Sequence, residues 1–260
     1  MPEAFFLPLG RDRFRATELT QGPWGSGLQH AGPPAALLGR AVEGHSDRSG
    51  LRVARVTFEI LRPVPIAELE VATRLLRGGR SVELVEASLL AAGAEVMRAT
   101  ALRIRTAAGL ELPEGLVPGP RLAGPEAGRV EPFFPTGQEV GYHTAMEFRF
   151  VTGSFLELGP ATVWTRMRHP LVAGEAPSPL CRALVAADSG NGVSAALDFR
   201  HWRFINPDLT VYLLRPPAGQ WVALEAATMV ADGVGLADTT LHDERGPIGR
   251  AAQALFVDRR

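Results

Sequence analysis

Residues 209–216 read Leu209-Thr-Val-Tyr-Leu-Leu-Arg215-Pro216, and residues 55–63 read Arg55-Val-Thr-Phe-Glu-Ile-Leu-Arg62-Pro63. Each is an apolar, strand-like run that closes in Arg-Pro, about 150 residues from its counterpart. The surroundings repeat as well. A helix-like segment precedes each run and three long strand-like runs follow it. A duplicated unit of roughly 110 residues means two like halves, with room for a site between them.

The first copy of the helix is Pro33 to Gly44, with prolines in the first turn and Ala/Leu after them. Four strands are expected over Leu51–Leu61, Glu68–Arg77, Ser81–Ala91 and Glu95–Arg105. Their short connections carry Pro65, Gly78-Gly79 and Gly93, the punctuation of antiparallel hairpins. A short strand is expected earlier, over Phe14–Thr20. The second copy holds strands over Thr144–Val151 and Ala161–Arg168. One helix follows over Ser178–Leu197, with Ser178 as N-cap and Pro179 at its first position. Leu209–Leu214, Trp221–Val230, Val234–His242 and Ile248–Val257 complete its sheet. Between the copies, residues 107–137 hold six prolines and six glycines, which reads as a linker. The expected organisation is therefore residues 1–106, a linker over 107–137, and residues 138–260. A helix that is apolar nearly all round, beside a curved antiparallel sheet, is α+β by layer logic, here twice over.

The bulk numbers exclude several classes. Net charge is −1, which gives no electrostatic case for nucleic acid. Hydrophobic content of 46% is that of a globular chain with a sizeable core. The single Cys181 rules out an internal disulfide and a cysteine zinc site and fits a reducing cytoplasm. No run of about 18 apolar residues is present, so no membrane span is expected. All 27 basic residues are arginine, so a phosphate-binding Gly-Lys loop is impossible. Gly192-Val-Ser194 lacks the second glycine of a nucleophile elbow, and the six histidines show no metal-type pairing. No cofactor and no metal are expected.

The stretch His30-Ala-Gly-Pro-Pro-Ala-Ala-Leu-Leu, the strand ending Leu-Arg62-Pro63-Val-Pro65, the Arg77-Gly-Gly-Arg80 turn and the closing Gly249-Arg-Ala-Ala-Gln253 resemble acyl-CoA thioesterases of the TesB-like (thioesterase II) family. The resemblance runs nearly end to end. It implies a double hotdog fold, an acyl-CoA substrate, a place in fatty acid metabolism and thioester hydrolysis by a water. It also implies assembly into a dimer or higher homo-oligomer. In that family an Asp, a Thr/Ser or Asn, and a Gln hold the water. The matching positions are Asp188, in Ala-Ala-Asp188-Ser-Gly-Asn191, and Gln253 in the last strand. Counting back from Arg215-Pro216 gives Asn206 for the middle member, with Thr210 as a neighbouring alternative. Some relatives carry a His where this chain has Thr57.

The chemistry suits those residue types. A carboxylate amid Ala183, Leu184, Val185, Ala186 and Ala187 is costly unless partnered, and burial would raise its pKa toward that of a general base. Neutral amides can fix a water without competing for its proton. A backbone N–H of the His30-Ala-Gly32 segment, just before the first helix, is a natural oxyanion donor. Candidate acyl-lining residues are Trp24, Leu28, Phe58, Trp202, Phe204 and Tyr212. Two other classes compete: a non-catalytic acyl-CoA binder, and an enoyl-CoA hydratase. The second needs a His after Asn-Pro, where this chain has Asp208-Leu209.

Overall fold

The computed structural model describes residues 2–46, 50–107, 109–111, 116, 119 and 121–260. Part of the expected linker (residues 108, 112–115, 117, 118 and 120) lies outside the described residues. Two short strands, β1 (Phe6–Pro8) and β2 (Arg13–Ala16), lead to helix α1 (Gly32–Glu43). Strands β3 (Leu51–Ile60), β4 (Glu68–Arg77), β5 (Val82–Ala91) and β6 (Ala94–Arg105) complete the first half. The second half holds α2 (Tyr142–Ala145), β7 (Met146–Thr152), β8 (Ala161–Met167), α3 (Pro179–Ala187) and α4 (Gly190–Val193). It closes with β9 (Trp202–Ile205), β10 (Asp208–Leu213), β11 (Val222–Ala231), β12 (Val234–Asp243) and β13 (Gly246–Arg259).

All the strands join one antiparallel sheet in the order β1-β2-β4-β5-β6-β3-β10-β13-β12-β11-β8-β7, with β9 also on β13. The order is a mirror. From the central β3/β10 pair outward, β3-β6-β5-β4-β2-β1 is matched by β10-β13-β12-β11-β8-β7. The repeated sequence segments are themselves the seam. Thr57 lies opposite Thr210, and their hydroxyls are 3.1 Å apart. Counted back from each Arg-Pro, the two threonines hold the same place in the repeat, so the local two-fold axis passes between them.

Helices α1 and α3 lie inside the curved sheet and pack antiparallel. Arg40, near the end of α1, pairs with Glu175 before α3 at 2.7 Å, and Ala36 O accepts from Cys181 Sγ at 3.6 Å. A Cβ on Gly39 would press on the Leu184 Cδ1 methyl at 2.3 Å, and a Cβ on Gly32 would meet the Val185 carbonyl oxygen at 2.5 Å, so glycine at position 32 lets the two helices approach closely. Pro33 through Gly39 are all buried, so α1 has no solvent face over that stretch. Each fully buried leucine of Leu37 and Leu38 contributes about 1.5–3 kcal/mol. Buried residues of both halves form one continuous core around the helix pair.

Several elements differ from the sequence-based expectation, among them β1 and β9, which have no counterpart in it. The strand expected over Phe14–Thr20 stops at Ala16, and Glu18–Thr20 turn as a short 3-10 helix on the Thr17 hydroxyl, which accepts from Leu19 N. The strand expected from Thr144 starts at Met146, because the Thr144 hydroxyl accepts from Gly141 N at 3.1 Å and Thr144 N donates to Gly141 O at 3.0 Å, which closes the first turn of α2. The single helix expected over Ser178–Leu197 ends at Ala187 and resumes as one turn at Gly190. That break falls on Asp188.

Candidate active site

Ser178 caps α3 by accepting from Cys181 N at 3.1 Å, and Pro179 occupies the first turn. The other end of α3 is less regular. Ser189 N donates to Ala186 O at 2.9 Å, which tightens the last turn. The chain then passes under β12 and β13. A Cβ on Gly190 would meet Thr239 Oγ1 at 2.5 Å and Gln253 Oε1 at 3.2 Å, so only glycine allows this approach. Asp188 is thereby fixed at the end of a buried helix, against the last strand.

The last strand supplies one partner and a kink supplies another. Both β9 and β10 pair with the same edge of β13, and Asn206-Pro207 interrupts them. Pro207 has no N–H to give to the ladder. The Asp208 carboxylate fills part of the gap by accepting from Ala254 N at 2.7 Å. Asn206 is pushed out of the ladder, and its amide Nδ2 donates to Asp188 Oδ1 at 2.8 Å. Gln253 Nε2 donates to the same oxygen at 3.0 Å. Its carbonyl Oε1 accepts from Asn191 N at 3.2 Å, which fixes the orientation of the amide.

The first half supplies the remaining contacts. His30 Nδ1 lies 3.0 Å from Asp188 Oδ2. The Ala31 and Gly32 backbone N–H groups, at the start of α1, also face the carboxylate and favour its ionised form. Gly32 N is 3.2 Å from His30 Nδ1, so this donor is shared between ring and carboxylate. The His30 ring stacks on Tyr142 with centroids 3.7 Å apart and planes within 5°. The Tyr142 hydroxyl is itself tied to Val185 O and Ser189 Oγ, each at 2.8 Å. The imidazole is therefore held in place on both sides.

Burial sets the proton balance. It raises the Asp188 carboxyl from 3.8 to about 7, and the amide and backbone donors only partly oppose it. It lowers the His30 imidazole to about 3, so this ring is neutral at ordinary pH. One proton lies between the two groups. With the ring proton on Nδ1 it is donated to the ionised Oδ2, and the Gly32 N–H then turns from the ring to the carboxylate. When Asp188 is protonated, the carboxyl donates to Nδ1.

Asp188, Asn206, Gln253, His30 and Gly32 thus meet at one point. Thr210 does not join them: its hydroxyl bonds Thr57 at the sheet seam. Thr57 lies at that seam too, and the imidazole beside Asp188 comes instead from His30. Cys181 is buried between the helices with its thiol pushed up to about 12, which leaves it inert. The two Arg-Pro arginines differ. Arg215 pairs with the buried Asp243 carboxylate, which also accepts from Ala218 N and Arg245 N. Arg62 is exposed.

A cavity of about 300 Å³ opens over Asp188 and His30. Trp24 and Phe204 line it as the sequence suggested, whereas Leu28, Phe58, Trp202 and Tyr212 do not. Phe58 is core, and Tyr212 faces solvent from the sheet. Most of the lining escaped sequence reasoning: Phe133, Phe134, Tyr142, Phe148, Phe155 and Phe199. Phe133-Phe134 was the one available signal, an aromatic pair inside a Pro/Gly-rich stretch. That stretch is held to the second half: Ala123 O accepts from Trp164 Nε1 at 2.7 Å, and Arg129 pairs with Phe150.

Known proteins agree with this architecture. The model of the acyl-CoA thioesterase N-terminal domain matches residues 20–104, and that of the C-terminal domain matches residues 125–257. Among solved structures, a Thermobifida fusca protein named as a thioesterase II superposes with a TM-score of 0.78 at 21% identity, over 98% of this chain and 95% of that one. A hot dog-fold protein of unknown function from Alicyclobacillus acidocaldarius gives 0.74 at 16%, over 98% and 97%. The acyl-CoA thioesterase II TesB2 from Mycobacterium marinum gives 0.66 at 13%, over 98% and 96%. A comparison with curated proteins finds no match. No helix among the described residues is long and apolar enough to cross a membrane. The mirrored sheet around two buried helices is a double hotdog, and the chain belongs to the acyl-CoA thioesterase family.

Proposed function

We infer that the protein hydrolyses fatty acyl-CoA thioesters to free acid and CoA, using a water held at Asp188, Asn206 and Gln253. The observation that carries this reading is the Asp188 carboxyl, which is buried, raised to about 7 and open to an apolar cavity. A group with that pKa is half ionised near neutrality, where a general base works best. The ionised carboxylate takes a proton from the water as the water oxygen bonds to the thioester carbonyl carbon. The amides of Asn206 and Gln253 fix the carboxylate and the attacking water without taking up the proton.

The carbonyl oxygen gains charge in this step. As Asp188 takes up the proton it loses its own charge, and its demand on the Gly32 N–H falls. That donor is then available to the oxyanion. When the intermediate collapses, the C–S bond breaks and the proton on Asp188 passes to the departing CoA thiolate. His30, neutral and stacked on Tyr142, keeps the carboxyl oriented in both protonation states. The reading treats residues 1–106 and 138–260 as two hotdog units, each supplying one side of the site.

The test is thiol release over straight-chain acyl-CoAs from acetyl to palmitoyl, with Asp188→Asn beside wild type. Turnover that collapses in the variant supports the assignment. Turnover that survives moves the base elsewhere. Tight binding of acyl-CoA with no thiol release from wild type would make the protein a binder rather than an enzyme.

A further inference from the structure

Aromatic rings make up about half of the lining of the cavity over Asp188, with Arg200 and Arg260 among the polar remainder. Phe133 and Phe134 come from the segment between the halves, Phe148 from β7, Phe155 from the β7–β8 loop, Phe199 from the stretch before β9, and Phe204 from β9. The rings brace one another. Phe133 lies 4.3 Å from both Phe134 and Phe155, centroid to centroid. Phe148 meets Phe155 edge-on at 5.0 Å and 82°, and Phe134 reaches Phe199 at 5.3 Å. Phenylalanine has two side-chain torsions, so a braced set of rings is a rigid wall.

Size and shape both limit the acyl group. A cavity of about 300 Å³ lies at the small end of ligand pockets, the size of a compact acyl group. The lining phenylalanine rings meet one another at angles from 33° to 82°, and a further ring can add edge-to-face contacts to such a set. A flexible alkyl chain gains burial here but not that contact, and it also loses more torsional freedom on entry. We propose that the preferred substrates are CoA thioesters of short aryl-substituted acids, of the phenylacetyl and 3-phenylpropionyl type, with the ring seated among Phe133, Phe155 and Phe199. The proposal rests on the thioesterase reading above and specifies its acyl group.

The experiment compares kcat/KM for 3-phenylpropionyl-CoA with octanoyl-CoA and palmitoyl-CoA, in wild type, Phe155→Leu and Phe199→Leu. The leucine variants keep an apolar wall and remove a ring, and the half-buried Phe199 gives a second position if the buried Phe155 change fails to fold. The expected aryl-over-octanoyl preference is about three- to tenfold, shrinking toward one in either variant. An equal or greater rate with octanoyl-CoA, or variants that lower both rates alike, would overturn the aryl assignment and leave the hydrolase reading standing. If no thioester is turned over, the hydrolase reading falls. The aryl pocket is then judged by calorimetric binding of 3-phenylpropionate against octanoate to wild type: tighter 3-phenylpropionate upholds it, and equal or weaker binding overturns it.

Discussion

At one end of the helix pair Asp188, just past α3, meets the start of α1. At the other end Glu43, the last residue of α1, meets the start of α3, where it accepts from the Ser178 hydroxyl at 2.5 Å. The two-fold axis exchanges these ends, yet they are not equivalent chemically. Gln253 lies opposite Leu209 in its ladder, as Ala101 lies opposite Val56 in the mirrored one, so the residue at the amide's place in the first half is alanine. Val53 holds the place of Asn206 by the same count. Asp188 is buried and partnered by two amides, whereas Glu43 is exposed by surface area, although its surroundings also desolvate its carboxyl and push it up against the Ser178 hydrogen bond. A carboxylate at a helix end is thus common to both halves. What distinguishes one of them is burial together with amides that come from the strands.

The strongest way to break this contrast is to neutralise Asp188. Asp188→Asn should lower kcat/KM by about 10²- to 10⁴-fold, the usual contribution of a general base. It should also stabilise the fold at high pH. The folded pKa of about 7 lies above the ordinary 3.8, so ionising Asp188 costs folding free energy. Wild-type stability is full below about pH 4 and falls as pH rises through about 7. The melting temperature of the variant should exceed that of wild type at pH 8, and the gap should close by pH 4. An equal gap at both pH values would show that the carboxyl titrates normally.

Giving the second half the first half's alanine is the next step. Gln253→Ala should cost about 10²-fold in kcat/KM, as loss of one preorganised donor does. It should also cost about 1–3 kcal/mol of stability, because Asn191 N loses its acceptor in a buried setting. Retained activity would mean that Asn206 alone suffices to hold the carboxylate. The pH profile sharpens the same point. Below about pH 7 kcat/KM should fall about tenfold per unit as Asp188 takes up a proton, and it should level off above. A plateau reaching down to pH 5 would argue for an ordinary carboxylate.

Gly39→Ala tests the helix contact that holds the two ends in register. Its Cβ would press on Leu184 Cδ1, and the expected loss is about 1–3 kcal/mol, read by denaturant unfolding. Glu43→Gln should have the smallest effect, under about twofold on kcat/KM and within about 0.5 kcal/mol in stability. A larger activity loss would give the exposed end a role that its surroundings do not suggest.

Much of this molecule is legible in its sequence because the repeat is. The Arg-Pro endings locate β3 and β10, and the same count reaches Asn206. Asp188 stands out as an acid within an apolar run. Other features depend on contacts that no local pattern encodes. The break in α3 follows from Gly190 passing against Thr239 and Gln253, residues far off in the chain. His30 meets Asp188 only because α1 and α3 run antiparallel. Phe133 and Phe134 of the aromatic wall hide in a stretch whose prolines and glycines signal only irregular backbone, and Tyr142 hides in a single helical turn.

The seam between β3 and β10 has a consequence for any attempt to divide the molecule. A chain cut near residue 106 would leave β3 as a bare edge, with its N–H and C=O groups unpaired and Val56 and Phe58 along it. Antiparallel pairing centred on one threonine is self-complementary, so Thr57 of one fragment can sit opposite Thr57 of another. A first half made alone therefore carries its own means of pairing, and edge-to-edge association of two such fragments would rebuild the two-fold arrangement that the full chain achieves within itself.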